Sequence, residues 1–213
     1  MKKLLVRKSV SEYLIRNKWQ ILIVFASLFA GIIIGSFFSV NMTDEKNNAI
    51  TKYIQNFVSA YGFQTVNGKD IFKFSIYNNI KVILFLWISG LWIGFLPVGI
   101  LQTGLKGYKI GFSATLFIKI FGFKGIVFAL LTILPQFLVM IPAIILYFVF
   151  NINFAFSIHN LKNQKLSGSV KNQLYVKNLI FFLVMIVISI VSGLIDAYVM
   201  PPILKPVCSF LNK

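Results

Sequence analysis

The chain has 213 residues, of which 58% are hydrophobic and 12% are charged, and its mean hydropathy is +0.83. Uncharged runs of membrane length account for this value, so the composition excludes a soluble globular protein and predicts a polytopic integral membrane protein. The net charge of +16 comes from basic residues in short segments between apolar runs. That distribution argues against nucleic acid as a partner and favours the anionic headgroups of the lipid bilayer.

The first apolar run, Gln20–Val40, follows a basic segment at 1–19. At about twenty residues, the run is long enough to cross a bilayer and longer than the apolar part of a cleavable signal. We interpret it as an uncleaved signal anchor with a cytoplasmic amino terminus.

The next segment, 41–81, lies outside the cell membrane in this orientation. Apolar side chains recur in it at three- and four-residue spacing, which predicts an amphipathic helix. These side chains are Ile50, Tyr53, Ile54, Phe57, Val58 and Tyr61. Such a helix can lie on the membrane or meet a partner protein.

Two further spans are predicted at 82–101 and 110–123, joined by a cytoplasmic turn at 102–109 that contains Lys106 and Lys109. The run at 110–123 would be about 21 Å long as a helix, shorter than a ~30 Å hydrocarbon core, so a re-entrant segment is the alternative. If 110–123 spans the membrane, the four lysines of the later loop at 151–177 lie inside the cell. If it is re-entrant, they lie outside. The positive-inside rule therefore favours a short span.

A fourth span at 126–150 is predicted to be kinked by Pro135 and Pro142, and a fifth lies at 178–199. Between them is a cytoplasmic loop at 151–177, and an outer tail follows at 200–213. The predicted fold class is all-α, a polytopic integral membrane helical bundle of five transmembrane helices with the N-terminus in and the C-terminus out. No segment between spans is long enough to bury a core of its own, so residues 1–213 are predicted to form a single membrane domain.

Glycines at four-residue spacing indicate close helix packing. They occur as Gly31/Gly35, Gly90/Gly94 and Gly107/Gly111. Such pairs reduce one helix face to backbone, so that a second helix can approach closely. Packing within one chain is favoured over a homo-oligomer interface, which the same spacing would also serve.

Four polar or helix-breaking residues lie in the predicted spans. Pro135, Gln136 and Pro142 in the fourth span fit either a kinked helix with a satisfied amide or the wall of a polar pathway. Asp196 lies near the outer end of the fifth span, where a carboxylate is either hydrated at the interface or functional.

The sequence lacks the residue sets that intramembrane enzymes require. It has one histidine, and Asp196 is the only acid in or beside the apolar runs after Asp70. Neither paired histidine ligands nor two intramembrane carboxylates are therefore available. A glycine-rich phosphate loop followed by Lys-Ser/Thr is also missing, and the single cysteine, Cys208, cannot form an internal disulfide. We expect no enzymatic activity, no cofactor and no metal site.

An ordered set of short motifs resembles the stage II sporulation protein M family over essentially the whole chain. The motifs are Asn78-Asn79-Ile80-Lys81, Gly90 with Gly94, the run from Thr103 to Phe112, Lys124-Gly125, Leu134-Pro135 and Ile141-Pro142. The resemblance matches Asn79 and Lys81 to an Asn and a basic residue of the family. The wider family often has Pro-His-Gly and a later Glu in the fourth span, whereas here Gln136 and Phe137 follow Pro135.

The resemblance implies a component of the engulfment machinery of endospore-forming bacteria, located at the sporulation septum and the engulfing membrane. It also implies a complex with sporulation proteins D and P, which cut peptidoglycan. We therefore expect a non-enzymatic membrane scaffold that positions peptidoglycan hydrolases. The alternative is a permease subunit or small-solute transporter with its pathway at Gln136.

Overall fold

The structure, a computed structural model, describes residues 12, 15–63, 67–163 and 168–211, and all regular structure in these ranges is helical. The predicted all-α fold class is confirmed. The helices are α1 Lys18–Val40, α2 Asp44–Phe63, α3 Gly68–Leu91, α4 Leu96–Phe121, α5 Phe123–Asn163, α6 Gly168–Leu194 and α7 Met200–Leu211. A 3₁₀ turn, Ile93–Phe95, joins α3 to α4, and a π-helical turn, Ile195–Val199, joins α6 to α7.

Four described helical stretches are long and apolar enough to cross a membrane: Lys18–Val40, Gly68–Leu91, Phe137–Asn160 and Ser169–Ser209. Helix α4 is different. Its 26 residues would reach about 39 Å, but it carries Lys106, Lys109 and Lys119. Whether such a helix can lie among apolar helices therefore depends on the contacts that its lysines make.

Helices α1 and α4 lie side by side and run in the same direction. The Ser27 hydroxyl of α1 donates to the Ile100 carbonyl of α4 at 2.7 Å. Thirteen residues further along α1, the Val40 carbonyl accepts from Lys119 Nζ at 3.4 Å. The two helices are therefore parallel over most of their length.

Helix α3 runs antiparallel to α6, as two hydrogen bonds show. Trp87 near the end of α3 donates to Asn178 near the start of α6, and Ser75 near the start of α3 meets Asp196 just after α6. Helices α4 and α5 are also antiparallel, since they follow each other through a tight turn at Gly122. This residue has φ of 58°, which a residue without Cβ adopts at little cost, and its N–H bonds the Ile118 carbonyl. Helices α3 and α4 are antiparallel too, since Gly99 early in α4 lies against Ser89 late in α3, whereas Lys106 meets Asn79. Helices α1, α3, α4, α5 and α6 thus alternate in direction along the chain.

The predicted boundaries between 82 and 123 are wrong. Helix α3 begins at Gly68, capped by the side chain of Asn67, which accepts from the Lys69 N–H. It ends at Leu91, and α4 then runs through the predicted turn at 102–109 without a break. The segment at 110–123 consists mainly of the second half of α4 rather than a short span. The sequence reading placed the lysines outside the bilayer because a charge in lipid is costly, but Lys106 has a partner on α3.

The predicted loop at 151–177 and tail at 200–213 are also largely helical. Helix α5 continues to Asn163, α6 begins at Gly168, and α7 occupies Met200–Leu211. Asn151 marks the end of an apolar run in the sequence, yet it is fully buried and accepts from Asn178 at 2.9 Å. Most of 1–19 lies outside the described residues. The number of spans and their orientation remain predictions.

Two of the three glycine pairs interlock within the chain. A Cβ at Gly107 or Gly111 would overlap the carbonyl of Leu28 or Ile32, and Gly31 and Gly35 meet the backbone of α4 in the same way. The third pair does not form one helix face. Gly94 lies in the 3₁₀ turn, whereas Gly90 lies in the last turn of α3, where a Cβ would come within 2.8 Å of Asn151.

We predict that Gly107→Ala destabilises the protein by about 1–3 kcal/mol, because the new methyl group would force two backbones apart. Gly104→Ala is the matched control, since its Cβ would meet a rotatable hydroxyl, Ser27 Oγ, at 3.2 Å. Thermal unfolding in one detergent measures both. Equal melting temperatures for the two variants would contradict backbone contact at Gly107.

Candidate functional site: a buried polar chain beneath a helical layer

A chain of polar side chains joins α4, α3 and the π-helical turn inside the bundle. Lys106 Nζ donates to Asn79 Oδ1 at 3.2 Å, and Asn79 Nδ2 donates to Ser75 Oγ at 3.5 Å. The Ser75 hydroxyl donates to Asp196 Oδ2 at 2.5 Å. We call these four residues the polar chain. It runs from a cation in α4 to a carboxylate at the end of α6.

The helices place the members of the polar chain for simple geometric reasons. Ser75 and Asn79 are four residues apart on α3, so they share one face, and both are buried. Lys106 and Asp196 are partly buried. Asp196 lies in a π-helical turn, a rare distortion that often occurs at functional sites. A buried charge is stable only with hydrogen-bond partners, which the polar chain supplies.

Asn79 and Asp196 were candidates from the sequence, and the structure brings them into one chain. Lys106 was missed because it was placed in a cytoplasmic turn. A usable signal was present, since Gly99, Thr103, Gly107 and Gly111 are spaced every four residues and are all buried. That stripe continues through 102–109, as expected for a helix.

A second polar cluster lies near the ends of α3 and α5 and the start of α6. Trp87 Nε1 donates to Asn178 Oδ1 at 2.6 Å, Asn178 Nδ2 donates to Asn151 Oδ1, and Asn151 Nδ2 donates to the Leu86 carbonyl at 3.0 Å. Gly90 leaves the room that Asn151 needs. The cluster ties three helices together at the opposite end from Asp196.

At the Asp196 end of the bundle, α2 and α7 pack together as a small helical layer. Val58 of α2 is buried with Met200, Leu204 and Cys208 of α7 and with Phe128 of α5. We call this arrangement the α2–α7 layer. Outside its buried cluster, a groove of about 640 Å³ lies between α2, the end of α4, the start of α5 and α7, lined by Gln55, Asn56, Ser59, Ile120, Phe121, Lys124 and Leu211.

The apolar face predicted for α2 is divided between two environments. Ile54 packs against the buried cluster, and Ile50 is partly buried. In contrast, Tyr53 is 72% exposed and Phe57 is 49% exposed. Ile54 is therefore covered by α7, whereas Tyr53 and Phe57 are the parts of this face that can meet a membrane or a partner.

The remaining predicted residues lie apart from the polar chain. Lys81 is exposed, with Nζ 3.9 Å from the centre of the Tyr77 ring, a cation–π contact. Pro135 and Pro142 both lie inside α5, which continues through them. The side chains of Tyr61 and Gln136 lie outside the described part of the structure.

The described residues contain no group of three or more His, Cys, Asp or Glu side chains that could hold a metal ion. A family model described as stage II sporulation protein M matches residues 22–201, a range that includes most of α1, all of α2 to α6, the polar chain and the start of α7. No curated protein and no solved structure matches the chain.

We predict that Asn79→Ala destabilises the protein by about 1–3 kcal/mol, because Lys106 would lose the acceptor for its ammonium group. The double variant Asn79→Ala with Lys106→Met should lose less stability than the sum of the two single variants, since the unpaired charge is gone. Unfolding of the four proteins in detergent measures this coupling. Lys81→Met is the control, and strictly additive losses would show that Asn79 and Lys106 are not coupled.

Cys208 is 1% exposed and should report whether the α2–α7 layer is assembled. Because a buried thiol reacts slowly, Val58→Asp should expose it and raise its rate of modification by maleimide at least about tenfold. Tyr53→Asp, five residues earlier on the same helix and exposed, is the matched control. If Val58→Asp leaves the rate unchanged, Val58 does not hold the layer closed.

Proposed function

Because the chain belongs to the stage II sporulation protein M family and is a sporulation membrane protein, we propose that it is a non-enzymatic scaffold for peptidoglycan hydrolases. In this proposal the α2–α7 layer binds the hydrolases, and the helical bundle holds the layer in place. The hydrolases would be sporulation proteins D and P, in line with the family resemblance.

The observation that carries the proposal is the exposed aromatic pair on the α2–α7 layer. Tyr53 and Phe57 are four residues apart on one face of α2, and both are substantially exposed. Exposed aromatic side chains on a packed helix are typical anchors of protein interfaces, because they bury a large area at a small loss of conformational entropy. The groove beside Gln55 and Lys124 extends this surface with polar groups.

The construction of the bundle also suits a scaffold. The layer is attached to the membrane helices at two levels, through Phe128 of α5 and through the π-helical turn that holds Asp196. Below it, α1 and α4 are in backbone contact. A partner bound to the layer would therefore be held at a fixed position relative to the membrane.

In this proposal the α2–α7 layer lies outside the cytoplasm, an orientation that the basic amino terminus favours by the positive-inside rule. Peptidoglycan lies on that side, so a hydrolase bound to the layer would reach its substrate. Location at the septum and the engulfing membrane is part of the proposal, as is contact with anionic lipids. The alternative, a permease subunit, was based on Gln136, and no described contact favours it.

We expect the double variant Tyr53→Ser with Phe57→Ser to lose co-purification with the hydrolases, because two aromatic anchors contribute roughly tenfold or more each to affinity. Phe74→Ser on α3 is the matched control, since Phe74 is 71% exposed but lies outside the α2–α7 layer. Co-purification from sporulating cells, quantified against the amount of membrane-inserted protein, measures the effect.

Protection of Cys208 from maleimide shows in the same preparation that the layer is still assembled. Undiminished co-purification of the double variant with Cys208 still protected would refute the proposed docking surface. Ile54→Asp would disrupt the layer itself, because Ile54 packs inside it.

A further inference from the structure

Two lysines of α4 lie at the level of the apolar span α1. The backbone of Gly104 faces Gly31 of α1, and that of Tyr108 faces Gly35, so Lys106 and Lys109 lie level with the second half of α1. Helix α1 is an apolar span with a mean hydropathy of 2.6. Lys119 marks the end of α1 by its contact with Val40, and Lys109 is ten residues, or about 15 Å of helix, before it.

The hydrogen-bonding capacity of these lysines is not met by the described residues. An ammonium group has three N–H donors. Lys106 uses one of them on Asn79, and Lys109, whose side chain is exposed, makes no hydrogen bond with any described residue. Hydrocarbon chains offer no acceptor, so a lysine exposed to lipid at this depth would cost several kcal/mol.

Further polar groups lie on α6, in the turns that precede Asp196. The polar chain connects Lys106 to Asp196 through Asn79 and Ser75, and Lys109 lies about one helical turn after Lys106 on α4. Ser189 and Ser192 precede Asp196 by seven and four residues on the same face of α6. Both hydroxyls are buried and have no hydrogen-bond partner among the described residues.

We propose that Lys106, Lys109 and Asp196 line a water-filled vestibule that opens on the side of the α2–α7 layer and ends near Asn79. Water supplies the acceptors that the lysines lack and the partners that the two serine hydroxyls lack, and a site with several polar groups is where internal water is stable. Asp196 lies at the layer end of α6, which sets the direction of the opening.

The vestibule is closed at its inner end, because an apolar layer follows Asn79. The next buried residues along α3 are Val82, Ile83 and Leu86, and they belong to one cluster with Phe148 of α5 and Met185 of α6. This cluster separates the polar chain from the asparagine cluster at Asn151 and Asn178. The vestibule therefore hydrates α4 without connecting the two sides of the membrane, which distinguishes it from a solute pathway.

Single cysteines in a Cys208→Ser background test the vestibule. Lys109→Cys is compared with Phe29→Cys, which lies two residues before Gly31 on α1 and is 57% exposed on the surface of the bundle. Tyr53→Cys marks the side of the α2–α7 layer. The reagent is a small, membrane-impermeant methanethiosulfonate, added to right-side-out or to inverted vesicles.

We expect Lys109→Cys to react at least about tenfold faster than Phe29→Cys, because the reactive thiolate forms in water and not in lipid. The reaction should occur from the same side as that of Tyr53→Cys, and from that side alone. Lys106→Cys, deeper in the vestibule, should show the same sidedness at a lower rate.

Three outcomes would overturn the proposal. Equal rates for Lys109→Cys and Phe29→Cys would mean that α4 has no hydrated face. Reaction only from the side opposite to Tyr53→Cys would reverse the opening, and reaction from both sides would show a continuous pathway. The proposed docking surface on α2 does not depend on any of these results, so the two proposals can fail separately.

Discussion

The direct backbone contact between α1 and α4 is the constraint on which the rest of the bundle depends. Helix α4 is too polar in its middle to be stable as an isolated span, but four glycines let it lie against the apolar α1 with backbone touching backbone. In lipid, close backbone contacts hold helices together in place of the hydrophobic effect, which acts only in water. Once α4 is fixed in this way, Lys106 faces α3, and the polar chain through Asn79 and Ser75 can form.

The polar chain in turn connects the membrane helices with the layer above them. Asp196 belongs to the π-helical turn that precedes α7, and its bond to Ser75 fixes where α7 begins relative to α3. Helix α7 then covers Ile54 and Val58, which the amphipathic pattern of α2 had left without a partner. A charge near the middle of the bundle is thereby linked, through three helices, to the shape of the surface proposed to bind hydrolases.

Family membership and residue contacts answer different questions about this protein. The match over residues 22–201 identifies a sporulation membrane protein, whereas it says nothing about which side chains act. The contacts locate two regions of interest: an exposed aromatic pair on α2 and a polar, charged region inside the bundle. The first supports a scaffold, and the second indicates how a helix with three lysines is accommodated among apolar neighbours.

The sequence by itself determined the all-α membrane class, the first span, the amphipathic α2, the glycine pairs of α1 and α4, and the family. These features depend on composition and on periodicity within one element. It could not determine that α4 runs through 102–109, that Asn151 and Asn178 are buried, or that Ile54 is covered. Charged and amide side chains look like membrane boundaries in a sequence because their desolvation is costly. Only the tertiary structure shows that partners on other helices offset this cost, since Asn79, Asn151 and Leu204 are far away in the chain from the residues they contact.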